Sequence, residues 1–178
     1  SNDHHYIKED LYQVLSADND LLLKSIFKYI KFKHCIHVRL STLGFIADMI
    51  SDIHLATSNA PQFSKLIQYS LTEINEFIKC INMTHNDICS ILIILLAICR
   101  YGREQYYDVI LDNNELMNII CNSIQSQKTK QWMFAVRCIS CILNNAQTGI
   151  IEIYLQKTVP YFVKLINWKQ GSIISALC

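Results

Sequence analysis

Apolar side chains recur along this chain at intervals of three and four residues, the spacing that gathers them on one face of an α-helix. Leu23, Ile26, Phe27 and Ile30 form one such stripe, and Leu40, Leu43, Ile46, Ala47 and Ile50 form the next. Short polar breaks separate the stripes. The pattern predicts helices over 7–15, 21–33 (capped by Ser16 or Asp18), 37–53 and 62–81. The breaker-rich stretch Ala56 to Pro61 reads as a loop, with Pro61 suited to the first turn of the helix after it. Thr84 is placed to cap a helix running to about Tyr101, with Gly102 as its stop. Further helices are expected over 104–111, 115–124, 131–143, 150–156 and from Pro160 to about Trp168, before a last apolar stretch from Ile173 to Cys178.

One eight-residue template, apolar at its first, fourth, fifth and eighth positions, recurs along the chain. Leu23, Ile26, Phe27 and Ile30 fill it first, and Ile74, Phe77, Ile78 and Ile81 fill it again. Leu116, Ile119 and Ile120 make a third copy with polar Ser123 at the end, and Val159, Phe162, Val163 and Ile166 make a fourth. The last three copies start 42 and 43 residues apart. That period, about 40–47 residues, belongs to stacked helical repeats in which no unit can bury its apolar face alone. The segment from Asp87 to Arg100 is apolar nearly all round, as expected of a helix buried on most sides in the middle of such a stack.

From Tyr106 onward the layout resembles the armadillo repeat. YYDVILDNNELMNIICNSIQSQKTKQWMFAVRCISCILNNA gives a short helix, a turn, a second helix, a polar loop and a long third helix, and IIEIYLQKTVPYFVKLINWKQGSIISALC repeats that order. The first 60 or so residues, with HVRLSTLGFIADMI, look like a generic HEAT-type helix pair. The resemblance implies an all-α fold, a right-handed α-α superhelix of about nine or ten helices in one domain. Its units fall at 18–60, 61–103, 104–145 and an incomplete 146–178. The Ser-Asn start and the apolar end suggest a piece of a longer protein.

Composition agrees with helices. Apolar residues make up 51% and charged residues 17%, a globular balance. Four glycines and two prolines are too few for a turn-rich β fold, which outweighs the β-branched isoleucines. A net charge of +1 argues against a nucleic-acid module working by counterion release. The longest apolar run, Ile91 to Cys99, is too short to span a bilayer. Of the eight cysteines, Cys80, Cys89, Cys99, Cys121, Cys138 and Cys141 lie in apolar helical stretches, which reads as reduced core thiols of an intracellular, cytoplasmic or nuclear protein.

Catalytic and cofactor chemistry finds little footing, and the reading is not an enzyme and takes no cofactor. Cys138 and Cys141 form a Cys-x-x-Cys, but inside a helix and without the second pair a structural zinc site needs. His34, Cys35 and His37 fit no standard ligand spacing. No Gly-rich phosphate loop or nucleophile motif is present. Lys24, Lys28 and Lys31, with Lys33 and Arg39 nearby, read either as a basic stripe for an acidic peptide, phospholipid or nucleic acid, or simply as a solvated helix face.

In armadillo arrays the third helices line a groove that holds extended peptides. The resemblance therefore places Phe134, Arg137 and Cys141 toward a groove, flanked by Gln131 and Asn145, with the aromatic and the arginine as anchors. The importin-α branch clamps lysines with a Trp and an Asn four residues apart. Here those positions fall at Arg137 and Cys141, and at Ile94 and Ile98 in the preceding unit, so basic cargo is not expected. The function implied is a scaffold or adaptor binding a peptide or helix of another protein. The alternatives are a self-associating structural module, or a VHS- or CTD-interacting-like reader of sorting signals or phosphorylated tails.

Overall fold

The computed structural model describes residues 19–31, 35–57, 61–80, 82–102 and 104–145, with positions 152, 156, 159, 160 and 163 beyond them. These residues contain seven α-helices, one 3-10 turn and no strand: α1 Asn19–Lys28, the 3-10 turn Tyr29–Lys31, α2 Ile36–Thr57, α3 Pro61–Cys80, α4 His85–Tyr101, α5 Glu104–Leu111, α6 Asn114–Ile124 and α7 Thr129–Asn145. The helices expected over 7–15, 150–156 and beyond lie outside the described residues, apart from isolated positions.

Most described template positions of the first three copies lie in the core, with Ile26 and Ile78 half-buried against it. Leu23, Phe27 and Ile30 are buried, as are Ile74 and Phe77, and Leu116, Ile119 and Ile120. Polar Ser123 at the end of the third copy is buried with them. The fourth copy differs: Val159 and Val163 are about half exposed, 47% and 50%. Each fully buried aliphatic side chain contributes about 1.5–3 kcal/mol, so the stripes outweigh the weak helix propensity of isoleucine.

Local chemistry sets the helix ends. Thr84 caps α4 as expected, but within a full capping box: its hydroxyl accepts from the Asp87 N–H while Asp87 accepts from the Thr84 N–H. Asn113 caps α6, its side-chain oxygen accepting from Glu115 N–H and Leu116 N–H. α2 runs through Thr57, beyond the expected end at 53, because the strong breakers begin only at Ser58 and Pro61 opens α3. α7 likewise continues through Asn144 and Asn145, where a turn was expected. Gly102 ends α4 in an extended conformation (φ −76°, ψ 172°) rather than the left-handed one. A side chain there is barred by space: its Cβ would meet the Ile98 carbonyl oxygen and lie 3.2 Å from the Tyr106 ring.

The helices pack in two rows. α4 lies against α2 on one side and α7 on the other, while α3 touches both α1 and α6. α2 packs on α3 and α6 on α7, which joins the rows. The near-continuous apolar surface of α4 follows from this central place: Cys89, Ile91, Leu92, Ile94, Leu95, Ala97, Ile98 and Cys99 are all buried. The rings of Phe27 and Tyr69 stack at 6.3 Å between α1 and α3.

A buried ion pair crosses from α2 to α4. Arg39 donates to both Asp87 oxygens at 2.8 Å, and its guanidinium lies 5.8 Å from the Phe77 ring of α3. Arg39 is thus a core residue and not part of a basic surface. It reads as surface in the sequence because its buried partner lies 48 residues away.

Candidate functional site

The seam between α4 and α7 is closed at its base by small side chains. Ala135 and Cys138 are fully buried, and the Cys138 thiol lies 3.5 Å from the Leu92 carbonyl oxygen. Residues one helical turn apart rise from that base on each helix: Leu96 and Arg100 on α4, and Arg137, Ser140, Cys141 and Asn144 on α7. They line an open cleft of about 500 Å³, a size in the range of ligand sites.

The lining is one-sided in charge. Arg100 and Arg137 supply two guanidinium groups, Asn144 an amide and Ser140 a hydroxyl, and no carboxylate is among the described lining residues. Leu96 and Cys141 are half-buried and pack against the core. Both arginines are exposed. The Tyr101 hydroxyl is hydrogen-bonded by Ser51 of α2 and by Arg100, which together hold its pKa below the usual phenol value. The bond from Ser51 also ties the end of α4 to α2.

The sequence placed five residues at a groove, and the structure brings two of them, Arg137 and Cys141, into this cleft. Phe134 is half-buried against the core and does not line it. Gln131 is buried, its side-chain oxygen accepting from the Ser126 hydroxyl at 2.7 Å, so it braces the loop before α7. Asn145 ends α7, with its side chain outside the described residues; its neighbour Asn144 reaches the cleft. The groove positions assigned to α4 need correction. Ile94 and Ile98 are fully buried, and the outward face carries Ile93, Leu96 and Arg100. An all-apolar helix hides its outward face from periodicity, but Arg100, the one charged residue from Ile88 to Tyr101, was a usable signal.

Elsewhere, Lys24, Lys28 and Lys31 are exposed, and Lys31 pairs with Glu73 of α3 at 2.7 Å. Cys138 is buried and Cys141 half-buried, so the Cys-x-x-Cys does not present two thiols to one ligand. His34 lies outside the described residues, while His37 is exposed and Cys35 half-buried. Among the described residues no three His, Cys, Asp or Glu side chains gather where they could hold a metal ion. No described helix is long and apolar enough to cross a membrane.

Comparison with models of known protein families, with curated proteins and with solved structures found no match.

Proposed function

We propose that this chain is a non-enzymatic, intracellular scaffold that binds a peptide or helix of a partner protein, and that its fold is a helical-repeat superhelix of the armadillo/HEAT kind. The 42-residue spacing between the two buried copies of the apolar template that start at Ile74 and Leu116, and the two rows of helices, support the repeat reading. The observation that carries the binding function is the open cleft between α4 and α7. In a stacked repeat, successive row helices present such a seam to solvent, and a chain segment of another protein can lie along it.

A photo-crosslinking amino acid at Ser140, in the cleft, tests this against the same group at exposed Asn118 on α6. The expected result is one partner protein crosslinked from Ser140 and not from Asn118, its purified form binding at least about tenfold more weakly to Leu96→Glu. Equal crosslinking from both positions, or binding unchanged by Leu96→Glu, overturns the reading.

A further inference from the structure

Resting on that protein-binding reading, we infer that the α4–α7 cleft recognises an acidic segment of its partner, with side-chain carboxylates paired to Arg100 and Arg137 and an apolar residue set against Leu96 and Cys141.

The two arginines come from different helices and meet at one cleft. Arg100, in the last turn of α4, has a structural use there, since a cation offsets the carbonyl end of the helix dipole. Arg137 has none, for it stands mid-helix in α7, and no described residue forms an ion pair or hydrogen bond with it. The cleft thus carries two exposed guanidinium groups, one of which has no partner within the described fold. An anionic segment lying in the cleft uses the bidentate fork of each group.

The other polar groups agree. The Asn144 amide and the Ser140 hydroxyl can donate to a carboxylate or to the backbone carbonyls of an extended chain. The exposed Asp48 of α2 does not line the cleft, and no carboxylate is among its described lining residues. A basic segment would be repelled, and a neutral apolar one would leave the Arg137 guanidinium without a partner among the described residues, Arg100 keeping its bond to the Tyr101 hydroxyl. The apolar wall of Leu96 and Cys141 favours a protein segment over a bare inorganic anion.

The test is fluorescence polarisation with three labelled peptides of equal length. One alternates Asp or Glu with Leu, one has Asn and Gln in their place, and one has Lys. The proteins are wild type, Arg137→Gln, and the double variant Arg100→Glu with Arg137→Glu, each checked by thermal melting. The acidic peptide is expected to bind wild type at least about tenfold tighter than the amide peptide, and to weaken with added salt. Arg137→Gln should lose most of that preference, and the double variant should exchange it for the Lys peptide. Equal binding of acidic and amide peptides overturns the charge assignment while leaving a protein-binding cleft in place. Acidic binding that survives in the double variant moves the site elsewhere, to Lys24 and Lys28 for example. Absence of binding by the acidic peptide also overturns the inference, whereas the Ser140 crosslink decides the protein-binding reading separately.

Discussion

Arg39 of α2 and Asp87 of α4 meet in the core through two parallel 2.8 Å hydrogen bonds, both residues almost wholly buried. Asp87 also accepts from the Thr84 backbone N–H at 2.8 Å and the Thr84 hydroxyl at 2.7 Å. One carboxylate thus caps α4 and fixes α2 across it. Removing either partner leaves a buried charge unmatched, which costs about 3–5 kcal/mol. Asp87→Ala and Arg39→Met should each lower stability in urea unfolding by that order. The double variant should lose clearly less than the sum, by at least about 1 kcal/mol. Strict additivity would show that the two charges do not depend on each other.

The same carboxylate sets an acid limit. Burial alone would raise its pKa, but the hydrogen bonds from Arg39 and from Thr84, with the positive charge of Arg39, together hold it below the ordinary aspartate value. A depressed folded pKa contributes stability above the unfolded value, about 3.9, and that contribution is lost as pH falls through the folded one. The stability gap between wild type and Asp87→Asn should therefore be constant near neutrality and shrink below about pH 4. A gap that widens on acidification would mean the folded carboxyl titrates above the unfolded one.

Adjacent tyrosines on α5 should respond oppositely to loss of a hydroxyl. Tyr107 donates to the Cys99 carbonyl at 3.0 Å, whereas the buried Tyr106 hydroxyl has no partner. Tyr107→Phe is expected to cost about 1 kcal/mol, and Tyr106→Phe to be neutral or slightly stabilising. Calorimetric melting of the two variants separates these outcomes, and equal losses would contradict the pairing.

The legible parts of this chain were those fixed by near neighbours. The stripe Leu40, Leu43, Ile46, Ala47 and Ile50, the Thr84 cap and the helix over 104–111 depend on residues within a turn or two; the cap and the helix are present, and the stripe is buried apart from half-buried Leu40. The core place of Arg39 depends on Asp87, and that of Gln131 on how the loop at Ser126 folds back. Neither has a local signature. The cleft was half visible: Arg137 and Cys141 follow from the stripe of Ala135, Cys138, Ile139 and Ile142, which leaves them on the other side of α7. On α4 both faces are apolar, and only packing between α2 and α7 decides which isoleucines are covered.

Two glycines make opposite predictions for the same substitution. Gly44 is exposed inside α2, with nothing within 4 Å of an added Cβ, so Gly44→Ala should stabilise by about 0.5–1 kcal/mol. At Gly102 the added carbon collides with the Ile98 carbonyl oxygen, whose own bond to the Gly102 N–H holds the helix end at 2.7 Å. Gly102→Ala should therefore destabilise, by about 1–3 kcal/mol. If both changes raise the melting temperature, the close approach at the end of α4 is wrong.

Thiol chemistry offers an independent reading of the cleft. The thiolate is the reactive form, so both access and pKa govern labelling. For Cys99, hydrogen bonding to Cys138, burial and the charge of Cys138 all push the pKa well above the usual thiol value. Burial likewise raises Cys89, partly opposed by Lys130 and Lys128. Cys121 and Cys138 are buried, whereas Cys35 and Cys141 are partly open to solvent. Iodoacetamide should therefore modify Cys35 and Cys141 first among the described cysteines, with Cys99 and Cys138 reacting only as the fold opens, read by peptide mass spectrometry. Cys141 lines the cleft and Cys35 does not. A saturating acidic peptide should slow labelling at Cys141 several-fold and leave Cys35 at its original rate. Equal protection of both would point to a general change in the fold, and protection of neither would place the peptide outside the α4–α7 seam.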